Sequence, residues 1–135
     1  MTGQAFDPGP PVDYAWAGDF LDRFVEARTA FNISPFAELF VEDGVLQPDP
    51  FEAPLMGTNA IRAYLLQRAD AEADVDLIIE RHWVSGSTVL AAWHGSYRQR
   101  PDRGHVRESG FLTAEMKSGR CARLRIWTVE RVGQG

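Results

Sequence analysis

The first half of the chain repeats apolar residues at helical spacing. Over residues 13–32 they return every three or four positions with charged residues between them, which predicts a long amphipathic helix. A Ser-Pro pair then favours an N-cap followed by a first helical position, so a short second helix is expected over residues 35–41. A third helix is predicted over residues 57–71.

The second half alternates apolar and polar residues, as half-buried strands do. Turn-forming residues divide it into consecutive strands, and a short extra strand is expected earlier, at residues 45–47. Helices followed by hairpins indicate an α+β fold, with three N-terminal helices packed on one curved antiparallel sheet around an apolar cavity. The four long strands are predicted at residues 75–84, 89–97, 106–116 and 121–129.

The whole pattern fits one domain. A chain of 135 residues with 44% hydrophobic residues can build a core without disulfides. Residues 1–12 are rich in proline and glycine and are predicted to form a flexible tail. The domain is expected to span residues 13–130, and residues 131–135 are expected to form a C-terminal tail.

Composition narrows the possible partners and locations. The net charge of −5 repels phosphate backbones, so nucleic acid is not expected as a partner. The single cysteine, Cys121, cannot form an internal disulfide and is interpreted as a packing residue. The N-terminus lacks a basic start and an apolar run, and no stretch reaches transmembrane length. We therefore expect no membrane partner and a cytoplasmic location.

The tight turn between the first two long strands fixes which of their residues share a face. In a regular register, Glu80 and His82 point the same way as Trp93, together with Gly95 and Tyr97. The opposite face is also partly apolar. The residues alone therefore leave open which face of these two strands lines the cavity.

The last two long strands separate their faces more clearly. One face carries Val106, Glu108 and other residues typical of a core, whereas the other carries aromatic and arginine side chains. An exposed aromatic patch on a sheet usually packs against a partner. We therefore expect a homodimer through this outer face, formed by Phe111, Arg123, Arg125 and Trp127.

Several segments of the chain match a known family in their order. The long first helix is followed by FVEDGVL at residues 40–46, by a proline-bearing loop ending at Gly57, and by NAIRAY at residues 59–64. The chain closes with SGFL at residues 109–112 and GRCARLRIW at residues 119–127. In this order of segments the chain resembles the nuclear transport factor 2-like superfamily, in its SnoaL-like branch.

The resemblance implies a fold and a range of functions. The fold is a cone-shaped half-barrel with a pocket between helices and sheet, and dimers through the outer sheet face are common. Members include ketosteroid isomerases, epoxide hydrolases, dehydratases and polyketide cyclases that need no cofactor, besides non-catalytic binders and scaffolds. No cofactor is therefore expected here.

The catalytic residues of two such enzymes carry over poorly. The base of ketosteroid isomerases falls on Pro48, or on Asp49 if the strand bulges, and only Tyr14 is available as their phenolic donor. Glu108 is the nearest acid to their oxyanion-hole aspartate. The water-activating residues of limonene epoxide hydrolases are all replaced, by Leu46, Pro48, Trp93, Gly95 and Ile126.

Three residues are candidates for proton transfer. Glu108 has apolar neighbours on its face, and desolvation would raise its pKa towards neutrality; the alternative is a salt bridge or an exposed position. His82, with Glu80 two residues away, is either an oriented general base or part of a solvated strip. Asp49, between two prolines, is either a base at the pocket mouth or a turn residue.

Aromatic and aliphatic residues are candidates for ligand binding. Trp93 is expected to point inward and either to stack on a planar ligand or to fill the cone, with Gly95 leaving room beside it. The three histidines lack the spacing of metal ligands, so no metal site is predicted. The other residues expected to line or cover the pocket are Tyr14, Trp16, Leu46, Phe51, Met56, Tyr97, Leu124 and Ile126.

Three functional hypotheses remain open at this point. The leading one is a small cofactor-independent lyase, isomerase or cyclase that acts on an apolar, ring-containing molecule. The second is a non-catalytic binder of a hydrophobic small molecule, and the third is a dimeric scaffold. An inward acid at the floor of an open cavity would favour the enzyme.

Overall fold

Three helices lie before the long strands. The computed structural model describes residues 9–101 and 104–133 and contains α1 (Tyr14–Thr29), α2 (Ile33–Glu38) and α3 (Thr58–Ala71). The side chain of Asp13 caps α1 by accepting a hydrogen bond from the backbone N–H of Trp16 at 3.0 Å. The second helix ends earlier than predicted, because the chain leaves it to start a buried strand at Phe40.

Six strands form one sheet in the order β2-β1-β6-β5-β4-β3. The four long strands are consecutive antiparallel neighbours, as predicted. The expectation of a wholly antiparallel sheet is wrong at one place, because β1 pairs in parallel with β6. Parallel neighbours need a long connection between them, and α3 with three long strands supplies it here. The strands are β1 (Phe40–Gln47), β2 (Leu55–Met56), β3 (Glu72–Ser85), β4 (Thr88–Gln99), β5 (Gly104–Lys117) and β6 (Arg120–Val132).

The ends of the domain are tied to the sheet. β6 continues to Val132, beyond the predicted boundary at residue 130, and the next residue, Gly133, donates its backbone N–H to the carbonyl of His105 at 2.7 Å. At the other end, the N–H of Val12 donates to the carbonyl of Gly86 at 3.0 Å. Residues 1–8 of the predicted N-terminal tail and residues 134–135 of the C-terminal tail lie outside the described residues.

The core lies between α1 and the sheet face on which it packs, which we call the inner face. Five residues at helical spacing on α1 are buried, as the apolar stripe predicted. Each large side chain that is fully buried contributes roughly 1.5–3 kcal/mol to folding. Cys121 is fully buried, and burial raises the pKa of its thiol, so it acts as a packing residue. The buried residues of α1 are Ala17, Phe20, Leu21, Phe24 and Ala27.

A bulge in β3 changes the predicted register of the first long hairpin. His82 pairs with Ala91 as predicted, but the register shifts at Glu80, so that Ile79 rather than Glu80 lies opposite Trp93. An inserted residue reverses the facing of everything beyond it along the strand. Leu77 therefore pairs with Gly95, and the predicted sharing of one face by Glu80 and Trp93 is wrong.

The outer face of the sheet carries the aromatic cluster expected from the sequence. The rings of Trp83 and Phe111 lie 6.0 Å apart, and the guanidinium of Arg125 lies 4.8 Å from the centre of the Trp127 ring. Trp83 is 39% exposed, which is high for a side chain of its size. Within the described residues, no helix is long and apolar enough to cross a membrane.

Candidate functional site

A pocket of about 1020 Å³ opens between the helices and the inner face of the sheet. The C-terminal parts of α1 and α3 form one wall, and β3, β4, β5 and β6 form the other. The pocket is lined by both apolar and polar residues, whereas the sequence predicted an apolar cavity. The charged and polar side chains that line it are Arg28, Asp49, Tyr64, Arg68, Glu72, Asp76, Tyr97, Glu108, Thr128 and Glu130.

The apolar part of the pocket is built around Trp93. This residue is 5% exposed and shares the lining with Phe24, Leu112 and Ile126. Its indole lies across Gly110 on the neighbouring strand, where an added Cβ would come within 2.7 Å of Trp93 Cζ2 and would collide with a backbone carbonyl. Glycine at this position therefore allows the indole to lie flat in the pocket. The Nε1 atom of Trp93 is buried without a hydrogen-bond partner among the described residues.

The structure explains the glycine at position 95 differently from the sequence-based prediction. A Cβ at this position would collide with the backbone carbonyl of Asp76 across the bulged part of the hairpin. The glycine is therefore required by the close approach of two strands. The space beside Gly95 is occupied by the backbone of β3, so the glycine does not leave room for a ligand as predicted.

Two glutamates face each other across the seam between β5 and β6. Glu108 and Glu130 are direct cross-strand partners, and their carboxyl groups hydrogen-bond to each other, which requires one of them to carry a proton. Burial, reinforced by this hydrogen bond, raises the pKa of Glu108 to about 7. A carboxyl group with such a pKa can both accept and release a proton near neutral pH.

Tyr97 lies one row closer to the end of the sheet and contacts Glu130 of this pair. Its hydroxyl donates a long hydrogen bond of 3.5 Å to Oε2 of Glu130. Burial, together with the negative charge of Glu130, raises the pKa of Tyr97 to about 12, so the phenol stays protonated. It can therefore act as a hydrogen-bond donor beside the glutamate pair.

The helical wall of the pocket holds two arginines around one glutamate. Nη2 of Arg28 donates to Oε1 of Glu72 at 2.9 Å, and Nε of Arg68 lies 3.1 Å from Oε2 of the same carboxylate. Glu72 is almost fully buried, as expected for a carboxylate between two guanidinium groups. The i,i+4 spacing of Arg68 and Glu72 spans the junction of α3 and β3, which places the pair at the pocket wall.

Tyr64 completes this wall. It lies one helical turn before Arg68 on α3 and lines the pocket. Burial raises the pKa of its phenol against the opposing effect of Arg28, so that the hydroxyl remains a hydrogen-bond donor at neutral pH. The helical wall thus presents donors, while the sheet wall presents the glutamate pair.

Six of the predicted site residues do line the pocket. Asp49 lies at its rim and is a turn residue as well, because its Oδ1 accepts from the backbone N–H of Phe51 at 2.9 Å. Phe51 is 94% exposed at the same rim. The six are Asp49, Phe51, Trp93, Tyr97, Glu108 and Ile126.

His82 is separated from this group. It lies on the inner face near the other end of β3, where its ring stacks on Tyr14 with 4.0 Å between ring centres. Its Nε2 lies 3.1 Å from the carbonyl oxygen of Tyr14. Its predicted partner Glu80 instead contacts Nδ1 of His94 at 2.6 Å, because the bulge turns Glu80 to the outer face. The predicted acid–base pair of His82 and Glu80 is therefore not formed.

The remaining predicted ligand-binding residues lie outside the pocket. Leu46 and Leu124 are fully buried partners across the parallel seam of β1 and β6, and Trp16 packs on Phe20. Met56 is 65% exposed on the short strand β2. These positions therefore belong to the core or to the surface.

Sequence reasoning missed several residues of the site, among them Arg28, Tyr64, Arg68, Glu72 and Glu130. Glu130 had a usable signal, since extending the alternation of β6 past Thr128 places it on the inner face, opposite Glu108. The two arginines carry no such signal in the sequence, because charged residues on a helix are usually exposed to solvent. In the described parts of the chain, no group of three or more His, Cys, Asp or Glu side chains is arranged to hold a metal ion.

Solved structures share this architecture. SalBIII, described as an epoxide hydrolase/cyclase-like enzyme in pyran ring formation in the polyether salinomycin, aligns with a TM-score of 0.79 and 15% identity over 90% of this chain and 98% of its own. An LEH-like epoxide hydrolase of M. tuberculosis aligns with a TM-score of 0.72 and 16% identity, over 85% and 84%. A protein of Catenulispora acidiphila with a ketosteroid isomerase-like fold, in complex with trimethylamine, aligns with a TM-score of 0.74 and 14% identity, over 81% and 84%.

These likenesses show the fold. The helices packed on a curved, unclosed mixed sheet form the ketosteroid isomerase-like, or nuclear transport factor 2-like, architecture. No curated protein is significantly similar to the chain in sequence. The sequence profile of the SnoaL-like domain, however, matches residues 21–124, which is most of the chain. The protein therefore belongs to the SnoaL-like domain family.

Proposed function

We propose that this protein is a cofactor-independent isomerase, lyase or cyclase that moves a proton on an apolar, ring-containing molecule, with Glu108 and Glu130 as the proton-transferring pair. The observation that carries the proposal is the placement of two carboxyl groups side by side on the inner face of the sheet, at a pocket large enough for a small molecule. Its family and fold include cyclase-like and epoxide hydrolase-like proteins, which fits this class.

The chemistry follows from the shared proton. One carboxylate of the pair removes a proton from a carbon next to a carbonyl group, and the electrons of the broken C–H bond move onto the carbonyl oxygen. The same pair then returns a proton to another carbon, or to a leaving group, so that the enzyme ends in its starting state. A carboxyl group whose pKa is about 7, as that of Glu108 is, can take part in both steps.

The pocket selects the shape of the substrate. Trp93 offers a flat surface, and Phe24, Leu112 and Ile126 extend the apolar part beside it. A ring system buried there would gain free energy from burial and from stacking. The polar atoms of the substrate would then lie level with Glu108, towards the opening.

The proposal can be tested without knowing the natural substrate. Exchange of the activated C–H protons of 2-tetralone for deuterium in D2O, followed by NMR, reports enolisation by any suitably placed base. The wild-type protein should accelerate exchange, and Glu108→Gln should lose the acceleration. Glu115→Gln is a matched control on the same strand, because Glu115 points to the outer face and pairs with Arg123 at 3.1 Å. No acceleration by the wild type, or equal acceleration by Glu108→Gln, would contradict the proposal.

A further inference from the structure

The helical wall of the pocket carries more positive than negative charge. Arg28 and Arg68 contribute two guanidinium groups, and Glu72 contributes the one carboxylate that lies between them. Both oxygens of that carboxylate are already engaged, one with each arginine. One positive charge is therefore left over at a wall where the side chains of Arg28 and Glu72 are 15% and 4% exposed.

The two arginines also have hydrogen-bond donors to spare. Nη1 of Arg28 is buried and has no hydrogen-bond partner among the described residues. Within the described part of the chain, Nε of Arg68 forms an ion pair with Glu72 but no hydrogen bond, and this side chain is 35% exposed and lines the pocket. The N–H groups of buried cations normally donate hydrogen bonds. Unpaired N–H groups beside a cavity therefore indicate that a ligand supplies the acceptor.

Other acids at the pocket do not fill this gap. Asp49 and Asp76 are exposed, where water screens their charge. Glu108 and Glu130 lie on the opposite wall and hydrogen-bond to each other. Tyr64, in contrast, adds a neutral hydroxyl donor to the same side as the arginines.

We propose that the wall formed by Arg28, Tyr64 and Arg68 binds an anionic oxygen of the ligand, so that the substrates are apolar ring compounds bearing an oxyanion. This inference rests on the proposed function, since it names the substrate class of the same pocket. A guanidinium group binds such an oxygen by charge-assisted hydrogen bonds. The ring then lies against Trp93, and the atoms beside the oxygen lie next to Glu108.

A pair of matched probes tests this recognition by binding alone. 2-Naphthoate and 2-naphthamide have the same ring and nearly the same shape, but only the first is an anion at pH 7. Titrations of the intact protein, followed by calorimetry, should show 2-naphthoate binding roughly tenfold or more tightly, the effect of one charge-assisted hydrogen bond. Weaker or equal binding of 2-naphthoate, or binding of neither probe, overturns the inference.

Substitutions in the helical wall should change the affinity for 2-naphthoate in opposite directions. Arg68→Gln should remove most of the preference for 2-naphthoate, whereas Arg62→Gln should keep it, because Arg62 lies on the same helix but contacts Ser34 outside the pocket. Glu72→Gln should strengthen binding of 2-naphthoate, because it removes the competing carboxylate. Arg68→Lys keeps the charge and should keep part of the preference, which separates recognition from loss of fold.

The result is distinguishable from a failure of the proposed function. The probes measure binding, while deuterium exchange of 2-tetralone measures proton transfer by Glu108. An unchanged probe preference in Arg68→Gln, together with Glu108-dependent exchange, would overturn the oxyanion wall and leave the proton-transfer proposal standing. A preference lost in Arg68→Gln without any exchange by the wild type would support the wall and contradict proton transfer.

Discussion

Replacing Glu108 by glutamine should make the protein more stable at high pH but not at low pH. In the folded protein the pKa of Glu108 is about 7, whereas in the unfolded chain the group ionises near its ordinary value of 4.5. Between these values the folded state binds more protons than the unfolded state, so the stability of the wild type falls as pH rises through this window. Glutamine does not ionise, so the stability of the variant does not fall in this way as pH rises.

The size of the gain in stability follows from the difference between the pKa values of Glu108 in the folded and unfolded states. For a fully buried group it would correspond to about 3 kcal/mol in the free energy of unfolding. Because Glu108 is only part-buried and reaches the open pocket, solvent screening reduces this to roughly 1–2 kcal/mol. For a domain of this size that difference raises the melting temperature by about 3–8 °C.

The assay is chemical denaturation of the wild type and Glu108→Gln at several pH values from 4 to 8. The gain in stability of the variant should be near zero at pH 4, should grow between pH 5 and pH 7, and should level off above pH 7. Glu115→Gln has the same chemical change on the outer face and loses an ion pair with Arg123, so it should show no such gain. A difference between wild type and Glu108→Gln that is constant with pH would refute the assignment of Glu108 as a desolvated acid.

Three further changes test other parts of the structure. Gly110→Ala should destabilise the protein by about 1–3 kcal/mol in denaturation experiments, because its Cβ meets the indole of Trp93; an unaffected midpoint would contradict this packing. The exposed aromatic cluster of the outer face favours a homodimer, so light scattering should give twice 15.1 kDa for the wild type and about 15.1 kDa for Phe111→Asp, whereas a wild-type monomer would rule the dimer out. His82→Gln should leave deuterium exchange of 2-tetralone unchanged, because His82 packs on Tyr14 away from the pocket, and a lost exchange would return it to the catalytic site.

Local pattern was enough to predict most of the fold. The stripe on α1 and the alternation of the last four strands each depend on burial of one face, and burial is what hydrophobic periodicity records. Glu108 could be chosen for the same reason, since an acid among apolar residues on an inward face stands out. The parallel pairing of β1 with β6 could not be predicted, because it joins segments that are distant in sequence and leaves no local signal.

The bulge at Glu80 explains the largest error in the predicted site. Regular alternation through β3 predicts the wrong face for Glu80, because one inserted residue exchanges the two faces of the strand. Ile79 and Leu77 consequently face the same way as Trp93, and Glu80 contacts His94 on the outer face. A bulge leaves no consistent mark in composition, so the i, i+2 spacing of a histidine and a glutamate predicts a pair that the backbone does not form.

The glutamate pair is a feature that folding alone would not favour. Two acidic side chains directly opposite each other on neighbouring strands destabilise a sheet when both are charged, and burial of Glu108 adds a desolvation cost to its charged form. At the same pocket, the N–H of Trp93 and a nitrogen of Arg28 have no hydrogen-bond partner among residues 9–101 and 104–133, and each is a further cost to the folded state. Costs of this kind gather at functional sites, because a ligand can compensate for what the folded chain leaves unpaired. Three of them around one pocket are better explained by a bound, reacting molecule than by the packing of the cone.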